Sequence, residues 1–185
     1  RDSGGGVRLD RNWGVGRMNL SYAEAVDLLI SIAVAEQMNS PLFLANLGSV
    51  RRQLVASFSP DKRTKVNHLK SRILIGVTAS TYVQASAGAP PKRVVQALHQ
   101  AFVDQKILEI KYKREDGVIS KRRIEPQYLL LKYPIWYVVA IDHLRNEART
   151  FRCDRMLEAS IDEERFKLLP REEFQASLAR SDLSI

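Results

Sequence analysis

Cysteine is all but missing from this chain, which carries Cys153 alone. One thiol cannot close an internal disulfide, which fits a reducing cytoplasm and leaves Cys153 the role of a small core residue. Histidine is nearly as scarce. His68, His99 and His143 lie far apart and are not joined by cysteine at ligand spacing, so no metal site is read. The phosphate-cradling pattern GxxxxGK[ST] and the nucleophile pattern GxSxG are both missing. Gly4-Gly5-Gly6 has no strand–turn–helix context, and Asp142 and His143 are sequence neighbours whose side chains diverge on a strand. With no nucleophile beside a base, the expectation is a protein without catalytic residues, cofactor or metal. No apolar run approaches the roughly 20 residues of a membrane helix. The first residues lack a signal-peptide pattern, so no membrane partner is expected.

What is present describes a globular, basic chain. Its 185 residues are 45% hydrophobic and carry a net charge of +8. Split along the sequence, residues 1–105 contribute +6, residues 106–155 contribute +5, and residues 156–185 contribute −3. The densest basic excess thus falls on a β-rich segment followed by an acidic tail. Such a surface favours a polyanionic partner through counterion release, without choosing between DNA, RNA and a nucleotide.

The segment 135–156 organises the rest. Ile135-Trp136-Tyr137-Val138-Val139-Ala140-Ile141 has the β-branched and aromatic content of a buried strand. A polar turn follows, and Thr150-Phe151-Arg152-Cys153-Asp154-Arg155 alternates like a half-buried strand. In a regular strand Arg152 faces opposite Arg149 and Arg155, unless a bulge re-aims one of them.

Upstream, an apolar helix begins near Leu20, with Ser21 and Glu24 spaced as a capping box and Asn39-Ser40-Pro41 as its stop. A second helix is expected over 43–58. A third follows Ser59 as cap and Pro60 at its first position, with Lys62, Arg63, Lys65, Lys70 and Arg72 as a solvated basic face. Val77 to Val83 has strand composition, and 86–91 reads as a linker into a helix over 91–105, where His99 is an ordinary helix residue. Strands are then expected over 107–113 and 118–132, joined by Glu115-Asp116-Gly117. Pro126 marks an edge or a bulge in the second. A fifth strand at 157–161 and a last helix or linker at 171–180 complete the pattern. One helix followed by about five short strands suggests an α+β chain: a helical region, then a small β-barrel.

Trp136-Tyr137, the turn Asp142-His143-Leu144-Arg145, and Arg149-Thr150-Phe151-Arg152 with Asp154-Arg155 resemble the core of the WYL domain. Val138 stands where the family name has leucine. The resemblance extends over 91–168 and implies a Sm-like, SH3-type barrel. It also implies the setting of bacterial transcription regulators, where a winged helix-turn-helix usually precedes the domain. On this reading residues 1–17 are the end of a wing, 18–90 a linking and dimerising helical region, and 169–185 a C-terminal helix or tail. The operator-reading domain is expected to be absent from the chain.

Guanidinium forks take phosphates bidentately and aromatic rings stack bases. The expected effector-binding residues are therefore Arg149, Arg152, Arg155, His143, Tyr112, Arg122, Arg123, Tyr137, Lys111 and Arg114. Three roles stay open: a homodimeric cytoplasmic regulator sensing a nucleic-acid or nucleotide effector (single-stranded DNA in some relatives), a protein-interaction module, or a sensor of a small anion.

Overall fold

Helices come first and an antiparallel sheet follows in the computed structural model, which describes residues 20–37 and 47–183. The wing expected over 1–17 and the helix stop at Asn39-Ser40-Pro41 lie outside the described residues. Helix α1 (Tyr22–Gln37) starts at the expected capping box. The Ser21 N–H donates to Glu24 Oε2 at 2.8 Å, and the Glu24 N–H donates to Ser21 Oγ at 3.3 Å. Helices α2 (Leu47–Ala56) and α3 (Pro60–Ser71) follow, and Val26, Leu29, Leu54, Val66, Leu69 and Phe102 form the core they share. Pro60 opens α3, where its missing N–H costs little, but Ser59 occupies the cap position without a side-chain bond.

Arg72 departs from the solvated face expected of it and is only 3% exposed. Its guanidinium donates to the carbonyls of Gln127 at 2.9 Å, Phe102 at 2.7 Å and Pro126 at 2.7 Å. It also lies 3.9 Å from the centroid of the Phe102 ring. One buried cation thereby ties the helical half to the sheet.

The strand expected over 77–83 falls elsewhere. Strand β1 (Ile73–Ile75) comes earlier, and helix α4 (Thr81–Ala85) takes its place because Ser80 caps it through a bond from the Val83 N–H. Helix α5 (Lys92–Asp104) buries Val94, Leu98, Ala101 and Phe102, and Gln105 ends it in the left-handed region at φ 54°. Five strands follow: β2 (Lys106–Lys113), β3 (Ile119–Lys132), β4 (Ile135–Asp142), β5 (Glu147–Arg152) and β6 (Met156–Arg165). Gly117, at φ +84°, makes the β2–β3 turn that glycine suits. Pro126 sits within a long strand, and the β3–β4 register shifts between Pro126 and Tyr128, the bulge its missing donor calls for.

The sheet order is β5-β4-β3-β2-β6, with β1 parallel to β3 off that path. No ladder joins β5 to β6 among the described residues, so the hydrogen-bonded sheet is open where the barrel reading expected closure. A 3-10 turn, Cys153–Arg155, carries the chain between these two end strands. The architecture is α+β. One sheet face packs Leu108, Ile110, Tyr112, Ile124, Val138 and Phe151 with α5. On the other face, Tyr128, Leu130 and Val139 are covered by Phe174. That residue comes from a second 3-10 turn, Arg171–Phe174, which leads into α6 (Gln175–Leu183). Among the described residues no helix is long and apolar enough to cross a membrane.

Candidate anion-binding cleft

Strand alternation builds the site. Along β2, Leu108, Ile110 and Tyr112 turn into the core, which leaves Glu109 and Lys111 on the outer face. Lys111 pairs across the sheet with Lys121 on β3 and Glu158 on β6, while Glu109 pairs with Arg123 and Ser160. These two rows line a cleft of about 860 Å³, with Arg93 from α5 and Arg122, His143 and Leu144 also on its walls.

Most of the cations are already engaged. Lys111 Nζ lies 3.1 Å from Glu158 Oε1. Arg123 donates to Asp162 at 2.8 Å and Glu164 at 2.6 Å, and these bonds, Glu164 first, push its pKa above the ordinary arginine value. The same network holds Asp162 below the usual carboxylate range, through the Glu164 N–H first and then Arg123. Arg122 donates at 3.0 Å to Asp142, which is fully buried and also accepts the Leu144 N–H at 3.0 Å. Arg122 therefore anchors the turn that presents His143. Arg123 Nη1 lies 3.5 Å from His143 Nδ1, and His143 Nε2 lies 2.9 Å from Glu125 Oε1. A guanidinium only donates, so in the neutral imidazole Nδ1 is the acceptor and the Nε2–H points at Glu125. Lys121 and Arg93, by contrast, have no carboxylate partner among the described residues. Two ammonium groups directly opposite on paired strands repel each other. Glu158 relieves this at Lys111 and leaves Lys121 with spare positive charge.

The hairpin arginines behave differently. Strand β5 ends at Arg152 and the 3-10 turn begins at Cys153, with Phe151, Arg152 and Cys153 all buried, so strand parity does not govern Arg155. Arg152 is 7% exposed and donates to both Asp154 oxygens at 3.0 and 2.7 Å. It also donates to Ser86 Oγ at 3.0 Å and to the Ser86 carbonyl at 3.1 Å, while the Gly88 N–H reaches Asp154 Oδ2 at 3.0 Å. The fork is a latch that holds the α4–α5 connection against the sheet. Tyr112 is core: its hydroxyl accepts the Arg152 N–H at 3.2 Å and its ring meets Phe151 edge-on at 5.2 Å. Burial raises its pKa and that of half-buried Tyr137. Cys153 is a core residue, as its setting in sequence suggested, with burial pushing its thiol up to about 12.

Of the expected site residues, Lys111, Arg122, Arg123 and His143 thus meet at the cleft. Tyr112, Tyr137, Arg152 and Arg155 gather instead around the 3-10 turn, where Arg155 lies 3.5 Å from Glu115. Arg149 is exposed and bonded to Glu147 at 3.3 Å, and Arg114 pairs with Asp116 at 3.0 Å in the β2–β3 turn. Sequence reasoning missed Arg93, Glu109 and Glu158 as wall residues. Among the described residues no His, Cys, Asp or Glu group is arranged to hold a metal.

Comparison with known proteins agrees with the β-rich half. The WYL domain family matches residues 93–161, a window that contains every wall residue of the cleft. Among solved structures, Proteasome accessory factor B/C (PafBC) of Arthrobacter aurescens is similar at a TM-score of 0.38 and 19% identity. That likeness covers 80% of this chain and 21% of the other, so the chain spans about a fifth of that protein's length. No curated protein matches.

Proposed function

We propose that this chain is the effector-sensing part of a WYL-type bacterial transcription regulator, and that the cleft over β2, β3 and β6 holds the effector by its phosphates. The observation that carries the reading is the Lys111–Lys121 cross-strand pair, with Lys121 and Arg93 left without carboxylates in a cleft large enough for a nucleotide. A repulsive pair is a local cost that a bound anion removes, so the site is electrostatically complementary to phosphate before any ligand arrives.

In this proposal the β-rich half works as a Sm-like barrel, supported by its helix-then-five-strand order and by the 3-10 turn between its end strands. The helical half pairs subunits in a cytoplasmic homodimer, and a winged helix-turn-helix outside this sequence reads operator DNA. The effector acts by binding one arrangement of the dimer better than another. The chemistry is binding and not catalysis. A second reading, a small-anion sensor, gains support because Tyr112, Trp136 and Tyr137 lie away from the cleft walls, so base stacking is not built in there.

Fluorescence anisotropy with a labelled single-stranded oligonucleotide, repeated across a salt series, tests the reading. Affinity should fall linearly in log–log form, with a slope near −0.7 for each phosphate neutralised. Inorganic tripolyphosphate should compete. Absence of oligonucleotide binding at low salt, or binding indifferent to salt, would defeat the proposal. Equal binding of tripolyphosphate and oligonucleotide would favour the small-anion reading.

A further inference from the structure

The cleft connects by an unbroken line of side-chain hydrogen bonds to the C-terminal segment that packs farther along the same face of the sheet. From Arg123 the line passes to His143 Nδ1 at 3.5 Å, and from His143 Nε2 to Glu125 Oε1 at 2.9 Å. Glu125 Oε2 then accepts from Gln127 Nε2 at 3.3 Å. Gln127 is fully buried and grips the segment after β6 in strand-like fashion. Its Nε2 donates to the Lys167 carbonyl at 3.1 Å, and its Oε1 accepts the Leu169 N–H at 3.0 Å. Tyr128, next in sequence, donates its hydroxyl to the Leu169 carbonyl at 3.0 Å and meets Phe174 edge-on at 5.3 Å.

We infer that the cleft and the C-terminal segment are thermodynamically coupled along this path, so that an anion bound at Arg123 loosens residues 166–178 from the sheet. The inference rests on the cleft being an anion site, and it concerns what that site controls. The weakest links are the 3.5 Å contact at His143 and the 3.3 Å contact at Gln127. Arg123 spends Nε and Nη2 on Asp162 and Glu164, so an anion that recruits its guanidinium does so through Nη1 and draws that group away from His143. Released at Nδ1, the imidazole turns and carries its Nε2–H away from Glu125. The carboxylate follows, and the Gln127 amide loses the acceptor that orients it toward Lys167 and Leu169. Because coupling is reciprocal, a looser C-terminal segment must in turn raise anion affinity.

Hydrogen exchange of the whole chain with inorganic tripolyphosphate as probe tests this, with binding measured separately by calorimetry. Exchange at Leu169 and its neighbours is expected to quicken about threefold or more on saturation, within the range of ordinary allosteric couplings. In Glu125→Ala, which cuts the path outside the cleft wall, binding should persist while the exchange response disappears. Leu178→Ala, which weakens α6 docking, should tighten tripolyphosphate binding about twofold to threefold. Binding with unchanged exchange at Leu169 would overturn the coupling and leave the cleft reading standing. No binding by calorimetry would overturn both. A full exchange response in Glu125→Ala would overturn the path.

Discussion

Replacing Arg152 with alanine is expected to cost roughly 3 kcal/mol of stability, by urea denaturation, and to leave anion binding unchanged. The hairpin arginines are the most visible basic feature of the sequence, so binding loss is the naive expectation. The geometry assigns Arg152 otherwise. Its fork is spent on Asp154 and Ser86, and the guanidinium and carboxylate side chains are 8% and 6% exposed. Removing the fork leaves the Asp154 carboxylate in a poorly hydrated place and unties the chain at Ser86–Gly88 from the 3-10 turn.

The pH dependence of this latch has a definite sign. Burial pushes the Asp154 carboxyl up, but the bonds from Arg152 and the Gly88 N–H outweigh it and hold the group below the ordinary value. A depressed carboxylate contributes stability that is complete above its unfolded pKa, near 4, and is lost as pH falls through the lower folded value. Wild-type protein should therefore lose part of its stability below about pH 4, and Arg152→Ala should lose less over the same range. An Arg152→Ala protein of wild-type stability that fails to bind anions would reverse the assignment.

Arg72→Leu is expected to be more damaging, at roughly 4 kcal/mol, a large share of the 5–15 kcal/mol typical of a folded domain. The leucine keeps apolar volume over Phe102 but offers no donor to the carbonyls of Phe102, Pro126 and Gln127. Those carbonyls belong to the end of α5 and the bulged part of β3, where ladder bonding is already interrupted. Unpaired buried acceptors cost more than the average hydrogen bond gains. The denaturation midpoint should drop sharply. A shift below about 1 kcal/mol would show that water replaces the guanidinium at no great cost.

Residue patterns made much of this fold legible because they act locally. The Ser21–Glu24 box, the Gly117 turn and the Pro126 bulge each depend on a few neighbouring residues, and each stands where its chemistry requires. The Lys111–Lys121 pair was within reach as well, since residues equidistant from Asp116 in a tight hairpin must face each other. Arg72 was not. A cation at the end of a basic helix reads as solvated, and only the packing of α3 against β3 and α5 shows it buried. The setting of Arg152 was hidden for a related reason: alternation assumes a continuous strand, and the turn at Cys153–Arg155 interrupts it. The Arg93 wall depends on how α5 crosses the sheet, which neither spacing nor composition encodes.

The most direct test removes the two cleft cations that lack carboxylate partners. In Arg93→Gln/Lys121→Gln, the slope of log affinity against log salt for a single-stranded oligonucleotide should become shallower by about 1.4, two phosphate contacts at about 0.7 each. Stability should stay within about 0.5 kcal/mol of wild type, because both side chains are exposed. Unchanged slope and affinity in that variant, with a binding loss confined to Arg149→Ala or Arg155→Ala, would place the anion at the hairpin and contradict the cleft.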